Sequence, residues 1–149
     1  MKMSTKKNVI IYTDGACKGN PGPGAGAYIL LYKHHIYKNS VFVEHTTNNR
    51  MEMLAVIKAL ECLKEPCNVT LYTDSQYIVN AFNKEWVYKW ERKQWKRKKS
   101  VVKNHELWQT LLKLVRKHKV NFVWIRGHNG NKYNEMCDKI ANVTIQNNL

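Results

Sequence analysis

Acidic side chains are scarce in this sequence. Its 149 residues hold 11 Asp and Glu against 25 Lys and Arg, a formal net charge of +14 at pH 7. A surplus of that size on a short chain points to a polyanionic partner, either nucleic acid or an anionic membrane. Long apolar runs are missing too. The first, Val9–Tyr12, follows the polar and basic stretch Met1–Lys7 and is too short for a signal-peptide core or a membrane span. That lack favours nucleic acid over membrane. None of the four cysteines, Cys17, Cys62, Cys67 and Cys137, forms a C-x-x-C pair, which speaks against a zinc site or a disulfide framework. They read as small thiols in a reducing compartment, so a cytoplasmic protein is expected. Linkers, low-complexity tracts and solenoid repeats are absent as well. Residues 1–149 are therefore read as one globular domain, 44% apolar and 24% charged, able to bury a single core.

The pattern of what is present suggests alternating strands and helices. Val9–Thr13 reads as a buried strand, followed by a turn-rich loop over Gly15–Gly24. Ala25–Tyr32 and Ile36–Glu44 form a hairpin around Lys33-His34-His35. In Arg50–Lys64 the residues Met53, Val56, Ile57, Leu60 and Leu63 recur at helical spacing, with Pro66 marking the end. Strand Val69–Thr73, a short helix Ser75–Phe82, helix Glu106–Lys117, strand Asn121–Arg126 and a last helix from about Tyr133 to Ile145 complete the order βββαβααβα. Such an α/β order implies a mixed sheet with helices packed on its faces.

Four acids attract attention, although each has an ordinary explanation. Tyr12-Thr13-Asp14 and Tyr72-Thr73-Asp74 repeat one triplet at the ends of two expected strands, so parallel pairing in register would bring both carboxylates to one end of the sheet. Taken singly, Asp14-Gly15 reads as a turn and Asp74 as a helix cap. Asn49 and Glu52 have the spacing of a capping box. Asp138 flanks the apolar stripe Tyr133, Met136, Cys137, Ile140 of the last helix. Phosphodiester hydrolysis would give the four a joint purpose. It benefits from two divalent ions about 3.5–4 Å apart, and hard ions such as Mg²⁺ take carboxylate oxygens.

Four stretches, in order, carry a resemblance. Tyr12–Gly24 (YTDGACKGNPGPG), Thr46–Met53 (TTNNRMEM), Tyr72–Tyr77 (YTDSQY) and Gly127–Asp138 (GHNGNKYNEMCD) resemble the signatures of the ribonuclease HI family across nearly the whole chain. The resemblance implies the ribonuclease H-like fold: a five-stranded mixed sheet, the first three strands antiparallel, with helices on both faces. It assigns metal-binding carboxylates to Asp14, Glu52, Asp74 and Asp138, and gives His128 a part in proton transfer or in product and metal release. Cys17, Asn20, Asn48, Asn49 and Gln76 match minor-groove contacts to sugars and base edges. Thr47 and Asn104 match a pocket for a phosphate of the DNA strand, and Trp86 a position lining the DNA-strand channel. Lys84–Lys103, with nine Lys and Arg against two Glu, matches the family's basic handle through Lys89, Arg92, Lys93, Lys96, Arg97, Lys98 and Lys99. At helical spacing its Trp86 and Trp90 share one face, which equally suits core packing. Two positions depart from the common pattern: Ala25 stands where many members have a further glycine, and Met136 where Arg is common.

The implied activity is endonucleolytic cleavage of the RNA strand of RNA·DNA hybrids, leaving 5′-phosphate and 3′-hydroxyl ends. Two Mg²⁺ ions are expected with substrate, with Mn²⁺ able to replace them. The expected partner is the hybrid alone, with no membrane, no obligate protein partner and a monomeric state. A non-catalytic hybrid-binding module is the first rival. It is disfavoured because binding a polyanion would favour losing all four acids. A reverse-transcriptase domain is the second, and a start at Met1 with the handle present points instead to a standalone enzyme.

Overall fold

The structure is a computed structural model that describes residues 6–149; most of the basic N-terminal stretch, residues 1–5, lies outside them. Strands β1 (Lys7–Cys17), β2 (Gly22–Tyr32) and β3 (His35–Thr46) precede helix α1 (Asn48–Glu61). Then follow β4 (Cys67–Thr73), α2 (Gln76–Asn83), α3 (Trp86–Arg92), α4 (His105–Val115), β5 (Lys119–Trp124) and α5 (Lys132–Asn147). The five strands form one mixed sheet in the order β3-β2-β1-β4-β5. The first three are antiparallel, while β4 and β5 run parallel to β1.

The repeated triplet does what in-register parallel pairing requires. Tyr12 pairs with Tyr72, and their rings stack at 4.8 Å. Thr13 and Thr73 are both buried, and Asp14 and Asp74 follow at the same end of the sheet.

Helices cover both faces, as the family resemblance implies. On one face Val9 and Ile11 of β1 and Tyr28 and Leu30 of β2 pack with Met53, Val56, Ile57 and Leu60 of α1, backed by Trp108, Leu111 and Leu112 of α4. On the other, Ala25, Ala27 and Ile29 of β2 meet Cys137, Ala141 and Ile145 of α5. Small residues on both sides let α5 lie close, and the alanine at position 25 suits that contact. The fit of α1 is tighter still. A Cβ on Gly15 would stand 2.5 Å from the Glu52 backbone nitrogen, so only glycine allows the first turns of α1 to rest on β1.

Several boundaries differ from the sequence reading. Strand β1 continues through Asp14 and Gly15 to Cys17, because Asp14, Gly15, Ala16 and Cys17 pair with Ala27, Gly26, Ala25 and Gly24. The expected loop Gly15–Gly24 therefore shrinks to residues 18–21. Asn49 is not the N-cap of α1. Thr47 is, its hydroxyl accepting from the Arg50 N–H at 3.3 Å, so Glu52 is the fifth helical residue and belongs to no capping box. Likewise Ser75, not Asp74, caps α2. The basic segment contributes a helix of its own, α3, so the order is βββαβαααβα rather than βββαβααβα. That helix forms because Trp86 and Trp90, four residues apart, close onto Tyr77 and Trp108, with Trp90 and Trp108 at 5.5 Å. Core packing and a charged outer side thus coexist. Lys89, Arg92, Lys93, Lys96, Arg97, Lys98 and Lys99 are all exposed, and a paired Glu91 and Arg116 (2.7 Å) tie α3 to α4.

Candidate active site

Three of the four acids converge. Asp14 on β1, Glu52 on α1 and Asp74, just beyond β4, each present an oxygen, and these lie within 4.8 Å of one another. Asp14 is 5% exposed and Glu52 7%. The backbone explains the convergence: parallel register sets Asp14 beside Asp74, and the close approach of α1 at Gly15 brings in Glu52. Gly127 closes the other side. A Cβ there would come within 2.6 Å of an Asp74 carboxylate oxygen.

Packing three carboxylates together, two of them buried, penalises their charges. Burial, followed by the charge of Asp74, raises the Asp14 carboxyl to about 7, against the opposing pull of the Gly15 N–H that donates to Oδ1 at 2.9 Å. Burial and the neighbouring Asp14 and Asp74 push Glu52 well above the usual carboxylate range, and its Oε2 has no hydrogen-bond partner. Asp74 is raised by burial, and is eased by His128 and Asn134. A buried acceptor without a donor beside two repelling carboxylates is unfavourable in the free protein, and a hard divalent cation would relieve it. The donor set, all oxygen, fits Mg²⁺ or Mn²⁺.

The fourth acid stands slightly apart. Asp138, on α5, is half-buried, and its carboxylate accepts from the Asn142 amide at 3.2 Å. Its charge still raises both Asp14 and Asp74, which sets it at the rim of the same cluster. His128 is exposed on the loop between β5 and α5, in a left-handed conformation (φ 56°).

The other residues singled out from the sequence surround this centre unevenly. Cys17 ends β1 with its thiol against the Thr46 carbonyl, 3.3 Å away. Asn20 accepts from the Asn48 N–H at 2.8 Å, joining the β1–β2 loop to the start of α1. Asn48 and Asn49 in the first turn of α1 and Gln76 at the start of α2 are exposed. Trp86 is half-buried beneath the Lys84 ammonium. Thr47 and Asn104, 57 positions apart, are joined through Arg50, which takes the Thr47 hydroxyl with its backbone N–H and Asn104 Oδ1 with its guanidinium.

The model of the RNase H family matches residues 6–146. The chain belongs to the ribonuclease H family. It is similar to a ribonuclease H of Thermoanaerobacter pseudethanolicus, 49% identical over 148 residues that cover 98% of this chain and 96% of that protein. It is also 52% identical to a ribonuclease H of Acetivibrio thermocellus, over 95% of this chain and 97% of the relative. Among solved structures it resembles LC9-RNase H1, described as a type 1 RNase H with the type 2 active-site motif. That match has a TM-score of 0.87 and 31% identity, and covers 98% of this chain and 75% of the other. LC11-RNase H1, solved in complex with an RNA/DNA hybrid, shares the fold at a TM-score of 0.73 and 24% identity, over 93% and 97% of the two chains. Ribonuclease H activity, hydrolysis of the RNA strand of RNA·DNA hybrids, follows from this membership.

Sequence reasoning overlooked three neighbours of Asp74. The Trp124 indole N–H donates to the Asp74 carbonyl at 3.1 Å. Asn134 is 3% exposed and its amide eases Asp74, although its Nδ2 makes no hydrogen bond of full geometry. Gly127 abuts the carboxylate. Gly127 and Asn134 both lie within the last recognised motif, where the eye goes first to His128 and Asp138. The Trp124 contact has no sequence signal, because an exposed aromatic at a strand end is commonplace.

Proposed function

We propose that the ribonuclease H chemistry of this chain takes place at Asp14, Glu52, Asp74 and Asp138, which would hold two Mg²⁺ ions, with Mn²⁺ as a substitute. The observation that carries the reading is the trio of carboxylate oxygens within 4.8 Å, two of the three residues buried, with Glu52 Oε2 left without any donor. Bound divalent ions would supply an activated water and charge stabilisation at the leaving oxygen. The chain's own part is positioning. Gly15 and Gly127 set how closely the carboxylates approach, and the Gly15 N–H fixes one Asp14 oxygen. His128, exposed on its loop with a charge that acts on Asp74, would move a proton or assist release.

Strand choice rests on groups around the carboxylates. The 2′-hydroxyl both donates and accepts, and it is the local feature that distinguishes RNA from DNA. Cys17, Asn20, Asn48, Asn49 and Gln76 would read it from the minor groove, Thr47 and Asn104 would hold a DNA-strand phosphate, and Trp86 would line the channel. The exposed Lys and Arg of the handle would track phosphates further along. Within this reading the whole chain works as one catalytic domain, a cytoplasmic monomer with no obligate protein partner.

The test is cleavage of an end-labelled hybrid with Mg²⁺, Mn²⁺ and Ca²⁺ compared, for the wild type and Asp14→Asn. Cleavage by the wild type with Mg²⁺ and none by the variant is expected. Equal turnover by both would overturn the metal assignment.

A further inference from the structure

Two helices begin at one place on the surface beside the carboxylates. The N-cap of α1 is Thr47 and that of α4 is Asn104, and both helix starts carry unpaired N–H groups and the positive end of a dipole. Asn104 is 9% exposed and held in a left-handed conformation (φ 60°). Its Nδ2 is buried with no hydrogen-bond partner among the described residues, a donor left without an acceptor. Arg50 connects the two helix starts. Its backbone N–H takes a lone pair of the Thr47 hydroxyl at 3.3 Å, and its Nη1 donates to Asn104 Oδ1 at 3.0 Å and pairs with Glu106.

We infer that Arg50 is a positioning residue for anion binding at this junction, acting by orienting the donors of Thr47 and Asn104 rather than by lending its own charge. Hydrogen-bond polarity sets the orientation. An Asn amide can present either end to a pocket, and only the NH₂ end suits a phosphate oxygen. With Oδ1 committed to a guanidinium, which can only donate, Nδ2 is the end left over. A threonine hydroxyl both donates and accepts, and with one lone pair committed to the Arg50 N–H its proton is free to be given. The charge of Arg50, meanwhile, is engaged by Glu106, whose carboxyl the guanidinium holds below the usual range. The pocket then offers neutral donors and two helix dipoles. Glu106 is the single carboxylate in this set, and its pairing keeps it from repelling the incoming phosphate. An oxygen received by Nδ2 would also remove the penalty of a buried, unsatisfied donor.

The inference deepens the hybrid-cleavage reading and rests on it. Its test uses RNA·DNA hybrids in which one phosphate of the DNA strand at a time is replaced by a neutral methylphosphonate. For the wild type, replacement at one register is expected to raise KM about tenfold, equivalent to about 1.4 kcal/mol, with kcat held within about twofold. Arg50→Met should raise KM about tenfold on the unmodified hybrid and reduce the penalty of replacement at that register, the Asn104 donor being lost while the backbone N–H still holds the Thr47 hydroxyl. Arg50→Lys keeps the charge but lacks the planar fork. It should fall between the two, and it serves as the second variant if the Met protein folds poorly. Retention of the full register dependence by both variants would overturn the proposal. So would a loss of kcat at unchanged KM, since Arg50 would then act through Glu52, two residues along its own helix. Cleavage with no sensitive register in the wild type would also overturn it, while leaving the carboxylate site standing.

Discussion

Removing the charge of Asp14 is expected to stabilise the metal-free protein while abolishing its activity. The carboxyl is 5% exposed and raised from 3.8 to about 7, by burial first and by Asp74 second. A folded-state value above the unfolded one means that the folded protein holds the proton more tightly. The contribution to stability is complete below the unfolded value and is lost as pH rises from about 4 through about 7. Expressed in full, a shift from 3.8 to about 7 would weaken the protein by about 4 kcal/mol at alkaline pH. Glu52 and Asp74 compete for the same protons, so about half of that, ~2 kcal/mol, is the expected size of the effect.

Asparagine keeps the shape of the side chain and an acceptor for the Gly15 N–H but carries no charge. Asp14→Asn should therefore gain about 2 kcal/mol near pH 8 with chelator present, or about 4–8 °C in Tm for a chain of this length. Near pH 5 the gain should shrink to under about 1 kcal/mol, because the wild-type carboxyl is then largely protonated in the folded state. Excess Mg²⁺ should stabilise the wild type more than the variant and so narrow the difference. Thermal and urea melts followed by circular dichroism, at both pH values and with or without Mg²⁺, measure all of this. A variant no more stable than the wild type near pH 8, or a gain that persists undiminished near pH 5, would refute the reasoning.

Glu52→Gln should likewise lose activity without loss of helix stability, since Thr47 rather than Glu52 caps α1; a destabilised but active protein in a hybrid assay would contradict this. Gly127→Ala should cut kcat by more than about tenfold with a stability change of under about 1 kcal/mol, because its Cβ would push against an Asp74 oxygen from 2.6 Å while the loop stays exposed. Neutralising Lys96, Arg97, Lys98 and Lys99 together should raise KM and lower the log–log salt slope by roughly 0.9 for each phosphate no longer neutralised, with kcat nearly unchanged. An unchanged slope would make that run a solvated face. In a labelled duplex series, a lone ribonucleotide should be cut poorly and a run of several well.

Much of the fold was legible because its signals are local and redundant. Parallel pairing in register was the condition under which the repeated Tyr-Thr-Asp triplet would bring its two acids together, and Tyr12 does pair with Tyr72. The α1 stripe was visible at helical spacing, and Val56, Ile57 and Leu60 are indeed core. What misled were residues whose local preference and tertiary role diverge. Gly15 looks like a turn because glycine usually supplies one. Here it is an ordinary ladder residue of β1, glycine because α1 leaves no room for a Cβ. The helix α3 was absent from the expected order although Trp86 and Trp90 share one face at helical spacing, because only their contacts with Tyr77 and Trp108 show that this face has a core to reach.

The displaced cap of α1 shows why the site itself could be only half read. Asn49 and Glu52 have the spacing of a capping box, and Thr47 is an equally good cap two residues earlier. Local propensity does not separate them; the position of the helix start on the sheet does. Were Asn49 the cap, Glu52 would stand third in the helix, with its carboxylate turned back toward the Asn49 N–H. With Thr47 as cap, Glu52 moves more than half a turn further along and rests against Gly15, where its carboxylate meets Asp14. The same shift makes Arg50 the third helical residue, which brings its N–H under the Thr47 hydroxyl and lets its guanidinium reach Asn104. One two-residue choice of helix start thus sets both the acid that completes the carboxylate trio and the arginine that links the two helix N-termini. It is decided by a contact between a glycine at 15 and a backbone at 52 that no window of neighbouring residues contains.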